Sequence, residues 1–227
     1  MPSVRVDVIS IGTLSRNRLW NESQPVRTAH STTTLIRTDK RNILIDPGLP
    51  APALAARLFE RTGLQPAAID TIFLTNFRPA HRAGLALFSH AKRFIHEIEQ
   101  QSMAQHLRSI LDQAPPEDLD RKIFQQELTL LESLSNPEDH LAPGVDLFPL
   151  FGYTPGTCGL IVAAPTHTIL ITGDAVPTQD QFLAGQLLPD THDIPTATES
   201  LREVYEIADL IIPGHDNLFP NPRMQGM

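Results

Sequence analysis

The chain is short of cysteine, of positive charge and of long apolar runs, and each shortage excludes something. Its only cysteine is Cys158, which rules out an intramolecular disulfide and any Cys-rich zinc module. Lys and Arg number 18 against 26 Asp and Glu, for a formal charge of -8. That balance argues against a nucleic-acid or anionic-membrane surface. No apolar run approaches the ~20 residues of a membrane span. The first residues, MPSVRVDVIS, alternate instead of forming an apolar block, so no signal peptide is expected, and with Cys158 alone a reducing cytoplasm is the expected location. There is no short-period repeat and no low-complexity tract. What remains is 227 residues, 41% hydrophobic, enough for a sizeable core. One domain over 1–227 is expected, and the twenty prolines suggest stiff loops and short elements.

Hydrophobic spacing predicts strands at 4–11, 32–37, 42–45, 69–74 and 94–96, and again at 145–150, 160–164, 168–172 and 210–212. Helices are expected over 51–60, with Gly63 as C-cap, and over 196–208. Residues 97–135 differ: glycine-free, Gln/Glu/Leu-rich and helically spaced, they read as a helical insert broken at Pro115 and Pro116. The order of elements suits two sheets with helices outside.

Polar residues just after strands are the candidates for chemistry, because strand ends present side chains where sites form. Asp46, Asn76 to His81, Asp174 and His215 hold such places. Two histidines and one carboxylate can hold zinc with water, or iron(II) as a facial triad, so His81, Asp174 and His215 form a candidate metal set. Spacing alone does not separate this from ordinary strand-end polar residues.

The local contexts, taken in order, resemble the metallo-β-lactamase fold superfamily. The matching pieces are Asn42 to Gly48 (NILIDPG), Ile72 to Thr75 (IFLT) running to His81 with Ala83 to Leu85 (AGL) behind it, Leu141 to Val145 (LAPGV), Gly152 to Gly156 (GYTPG), Ile171 to Asp174 (ITGD) and Pro213 to His215 (PGH). The resemblance implies an α/β fold, a four-layer αββα sandwich with a site on one sheet edge that usually holds two metals, in a family of mostly hydrolases. The family's Thr-His-x-His-x-Asp-His motif reads here Thr75-Asn76-Phe77-Arg78-Pro79-Ala80-His81, and its Gly-His-Thr-Pro-Gly histidine is Tyr153. By the resemblance, Asn76, Arg78 and Tyr153 stand where the first metal's ligands belong. His81, Asp174 and His215 are the surviving half for the second metal, with Ala80 in place of an aspartate.

Two functions follow as expectations. In one, the protein has lost the dinuclear chemistry, binds no cofactor and serves as a binding or scaffolding protein, with Arg78 pairing Asp174 in place of a cation. In the other it is a mononuclear hydrolase of the ester, lactone or thioester class. His81, Asp174 and His215 then hold one divalent metal (zinc or iron), while Asp174, Arg78 and Tyr153 carry catalysis. Metal-free catalysis by Arg78 and Tyr153 is the least favoured idea. Asp46 reads as a support behind the ligands or simply as a turn residue. His30 and His192 are loop candidates facing the site. His90, His96, His106, His140 and His167 read as surface or capping groups, and Cys158 as core. The expected partner is a small molecule or another protein, not nucleic acid or membrane. The helical insert is expected to cap the site edge or to make a homodimer contact.

Overall fold

The computed structural model describes residues 4–115 and 120–226. Its first sheet runs in the order β1 (Arg5–Ser10), β2 (Thr33–Arg37), β3 (Asn42–Ile45), β4 (Thr71–Leu74), β5 (Lys92–Ile95). Helix α1 (Ala51–Thr62) lies between β3 and β4 in sequence, while α2 (Glu97–Gln113) and α3 (Arg121–Glu132) follow β5. The second half adds β6 (His140–Ala142), β7 (Val145–Pro149), β8 (Cys158–Ala163), β9 (Thr168–Gly173), α4 (Gln179–Leu183), α5 (Ile194–Ile207), β10 (Leu210–Pro213) and β11 (Phe219–Pro220). These strands form a second sheet in the order β11-β10-β9-β8-β7-β6.

Period-two alternation assigns the faces. In β3, Ile43 and Ile45 face the other sheet while Leu44 faces out. Phe73 of β4 points inward between outward Ile72 and Leu74. Ile169 and Ile171 of β9 point inward around outward Leu170, and in β10 Ile212 is inward and Ile211 outward. Both faces are buried, which is why these strands read as nearly continuous apolar runs. The inward set forms a core between the sheets. The outer face of the first sheet packs against Leu54 and Leu58 of α1, Leu107 and Leu111 of α2, and Leu131 of α3. The outer face of the second packs against Phe182 of α4 and Val204 of α5. The result is the expected αββα layering.

Element boundaries agree with the spacing to within a few residues. Gly63 closes α1 in the left-handed conformation, φ 74°. His96 is not strand but the N-cap of α2, its Nδ1 accepting from Ile98 N–H at 3.2 Å. Helix α2 ends before Pro115; the expected break at Pro116 lies outside the described residues. The spacing missed β6, α4 and β11, all too short to show a period. The described helices include none long and apolar enough to cross a membrane.

The topology decides where chemistry collects. β3 and β4 run parallel, and so do β9 and β10. Residues just past parallel strands emerge at the same end of their sheet. Asp46, Thr75 with Asn76, Asp174 and His215 follow these four strands. The two sheets meet there: Cys158 N–H donates to the Thr75 carbonyl at 2.9 Å, joining the end of β4 to the start of β8.

Phe73 is fully buried between the sheets. Phe73→Ala should cost about 3–5 kcal/mol of unfolding free energy by urea denaturation, the sum of lost transfer energy and a retained cavity.

Candidate metal centre and its cleft

Asp46 adopts a left-handed backbone, φ 50°, uncommon outside glycine. This turn sends its carboxylate back over the end of β4. Oδ1 accepts from Thr75 N–H at 2.9 Å, and Oδ2 accepts from Thr75 Oγ1 at 2.7 Å. The same Oδ2 lies 2.9 Å from His81 Nδ1. Asp46 is thus a support behind a candidate ligand as well as a turn residue.

His81 is fully buried, at the end of a 3-10 turn over Pro79–His81. Its Nε2 lies 2.9 Å from Asp174 Oδ2, which also accepts from Asn76 Nδ2 at 3.0 Å. Burial alone would lower the imidazole pKa; the carboxylates of Asp174 and Asp46 outweigh it and push it up to about 10. Burial likewise works to raise Asp174, but the facing imidazoles of His81 and His215 hold it well below the usual carboxylate range.

Asp174 follows Gly173, whose positive φ of 53° places a would-be Cβ 2.3 Å from Thr75 Oγ1. Only glycine allows that approach. Gly214 has the same role before His215: a Cβ there would sit 2.7 Å from Asp174 Oδ1.

His215 shows which chemistry the centre fits. Its Nδ1 faces two backbone carbonyls, His30 at 2.9 Å and Thr13 at 3.1 Å. Carbonyls only accept, so Nδ1 carries the proton. In the neutral ring Nε2 is then a bare lone pair, 2.9 Å from Asp174 Oδ1. That buried carboxylate oxygen has no aligned hydrogen-bond donor. A carboxylate oxygen at that distance needs positive charge between the two atoms, either a proton on Nε2, which makes the ring an imidazolium, or a metal cation. His81, Asp174 and His215 offer ligand atoms within 4.8 Å of one another, with each Nδ1 held from behind by an acceptor. The donor set therefore fits one divalent cation.

The other sequence candidates gather at the wall of a cleft of about 590 Å³ above Asp174, which Arg78, Tyr153 and Asp190 also line. Arg78 does not pair with Asp174, contrary to expectation. Its Nη2 binds Asp190 Oδ2 at 2.9 Å, and its guanidinium stands 5.1 Å over the Tyr153 ring. The reason is that His81, His215 and Asn76 already surround Asp174. Tyr153 donates to the same Asp190 oxygen at 3.3 Å. Burial first, then the Asp174 carboxylate, hold its phenol far above the ordinary value, so it stays protonated.

His30 supplies its carbonyl, not its ring, to His215. His192 meets Tyr153 only through its backbone N–H, at 3.0 Å. Cys158 is buried, and burial pushes its thiol up to about 12, consistent with a core role. Spacing missed Asp190, a loop residue with no local signal. It also missed Glu99 of α2, which is 1% exposed. Its Oε1 accepts from Phe77 N–H at 3.0 Å, while Oε2 accepts from Thr154 Oγ1 at 2.6 Å and Gly156 N–H at 3.1 Å. One carboxylate thereby ties the loop carrying Asn76 and Arg78 to the loop carrying Tyr153. Its signal was a charge in register with the apolar stripe of Leu107 and Leu111.

A sequence profile described as the metallo-beta-lactamase superfamily matches residues 26–215. A search of curated proteins returned no match. Among solved structures, AidC, a dizinc quorum-quenching lactonase, is 19% identical with a TM-score of 0.65, covering 82% of this chain and 72% of its own. A probable metal-dependent hydrolase from Staphylococcus aureus is 15% identical with a TM-score of 0.71, covering 95% and 89%. An N-acyl homoserine lactone hydrolase, solved with its product at the catalytic metal center, is 18% identical with a TM-score of 0.63, covering 94% and 92%. At these identities the likeness is one of fold.

Two stabilities should separate the buried contacts from the exposed one. Asp46→Ala strips a buried partner from His81 and should cost about 3–5 kcal/mol. Arg78→Ala breaks a pair whose side chains are 38% and 54% exposed, and should cost less than about 1 kcal/mol. Denaturant midpoints of the two variants measure the difference.

Proposed function

The chain belongs to the metallo-β-lactamase superfamily, and within it we propose a hydrolase of the ester, lactone or thioester class that works with one divalent cation, zinc or iron. The observation that carries this reading is the buried Asp174 Oδ1, without an aligned donor and facing His215 Nε2 at 2.9 Å. His81, Asp174 and His215 are the residues that would hold the ion. Bound there, it supplies Lewis acidity that polarises a carbonyl and acidifies water. The neighbouring positions suit no second ion: Arg78 is permanently cationic, and Tyr153 keeps its proton.

The chain's own groups have distinct tasks. Asp46 and the carbonyls of Thr13 and His30 fix the tautomers and orientations of the two imidazoles. Tyr153 keeps a phenolic proton at the cleft wall, given to Asp190 in the free protein and passed to a carbonyl oxygen gaining negative charge when the hydroxyl turns from that long contact. Arg78, stacked on that ring, holds the phenol in place and adds fixed positive charge. Asp190 positions both.

A second reading has its own support. Asn76 Nδ2 already binds Asp174, and an imidazolium at His81 between two carboxylates balances the buried charge without an ion. The protein would then be a binding member of the family. Metal analysis of untreated protein separates the two. On the hydrolase reading it finds one equivalent per chain, and chelation lowers the melting temperature. Restoring zinc at a thousandfold excess over its dissociation constant returns about 4 kcal/mol. Metal-free protein indifferent to chelator and zinc would establish the binding reading instead.

The catalytic assignment has a separate expectation. Against a panel of esters, lactones and thioesters, Tyr153→Phe should lower kcat about 10²-fold while retaining the metal. An unchanged kcat removes Tyr153 from the mechanism.

A further inference from the structure

The cleft reverses the sign of the chain around it. The protein carries a net charge of -8, yet Arg16, Arg18 and Arg78 all line the space above Asp174. The two carboxylates in the cleft are engaged. Asp174 lies against His81, His215 and Asn76 at the floor, and Asp190 takes Arg78 and Tyr153 at the wall.

The arginines keep donors to spare. A guanidinium has five N–H donors in a planar fork that matches a carboxylate or phosphate. Arg78 gives Asp190 one amino group, and its plane is held by the Tyr153 ring. Arg16 gives the Ser23 carbonyl one contact at 3.1 Å. The Arg18 side chain is exposed and makes no hydrogen bond or ion pair with any described residue.

The loop bearing Arg16 and Arg18 is anchored rather than loose. Thr13 and His30 pair across its base, and Trp20 Nε1 reaches over to Asp180 Oδ2 of α4 at 2.9 Å. Positive charge from two separate segments, the loop of Arg16 and Arg18 and the loop of Arg78, therefore lines one cleft, where their fields add.

We propose that Arg16, Arg18 and Arg78 form a recognition site for an oxyanion group, carboxylate or phosphate, carried by a small-molecule substrate. Assigning the anion to a substrate rests on the hydrolase reading above; the anion site itself does not. A cleft of about 590 Å³ in an acidic protein suits a small anion and repels a polyanion.

The test uses full-length protein stripped of metal with chelator, so that no bound ion attracts the probe. Inorganic phosphate and succinate are titrated separately by calorimetry and by fluorescence of Trp20, the only tryptophan. Saturable one-site binding of at least one anion is expected, and the stronger of the two identifies the group. Affinity should fall about tenfold in Arg78→Ala and in Arg18→Glu, as expected for loss of a charge-assisted hydrogen bond. It should also fall with added salt. Arg108→Glu, on the remote α2–α3 face where Arg108 pairs with Glu132, should leave it unchanged. Zinc affinity of Arg18→Glu should match that of the parent. Anion binding without hydrolysis of any substrate in the panel supports the anion site and removes its assignment to a substrate. No saturable binding of either anion, or binding indifferent to both Arg18→Glu and Arg78→Ala, overturns the proposal.

Discussion

A single buried carboxylate organises this end of the molecule. Asp174 lies at the bottom of the cleft with two imidazoles and an amide directed at it. Ions taken out of water carry a desolvation cost of several kcal/mol each, and that cost is offset only when partners are placed well. The surrounding backbone obeys that requirement. Gly173 and Gly214 lack side chains because any Cβ would collide with the groups that must approach. Asp46 holds a left-handed conformation because its carboxylate must serve both Thr75 and His81.

The buried charges form a chain of positions rather than an isolated cluster. Asp46, His81, Asp174 and His215 alternate acid and imidazole, ending on the carbonyls of Thr13 and His30. Such a chain accepts either protons or a cation between its members, and the same geometry therefore supports both functional readings. Glu99 performs a parallel task one layer out. Its carboxylate is spent on two backbone N–H groups and a hydroxyl, so helix α2 acts as a clamp on the two loops that shape the cleft. The helical segment after β5 thus reaches the site loops through Glu99 of α2, and through Glu127 of α3, which pairs with Arg82 beside Phe77, in addition to covering the outer face of the first sheet.

Arg78 shows why a charge is understood only with its surroundings. Next to Asp174 in a motif-based reading, it looked like a replacement cation. In the folded chain Asp174 is already surrounded, and the guanidinium turns outward to Asp190 and the face of Tyr153. It therefore brings positive charge to the cleft wall instead of neutralising the floor, and it keeps donors free for another partner.

The layering was legible in the sequence because the nearly continuous apolar runs of β3, β4, β9 and β10 mark strands buried on both faces, and the polar residues that follow them stood out as candidates at strand ends. Local chemistry was legible too, in the Gly63 cap. The ordered motifs carried the family likeness, and with it the grouping of His81, Asp174 and His215. Pairings between distant loops were not legible. Asp190 has no periodic or motif signal, and the outward turn of Arg78 depends on Asp174 being surrounded by His81, His215 and Asn76. Glu99 left only the trace of a charge on an apolar stripe. β6, α4 and β11 were invisible because elements of two to five residues complete no period. Spacing along one strand or helix reports which face a residue takes; which two distant faces meet is decided only when the whole core packs.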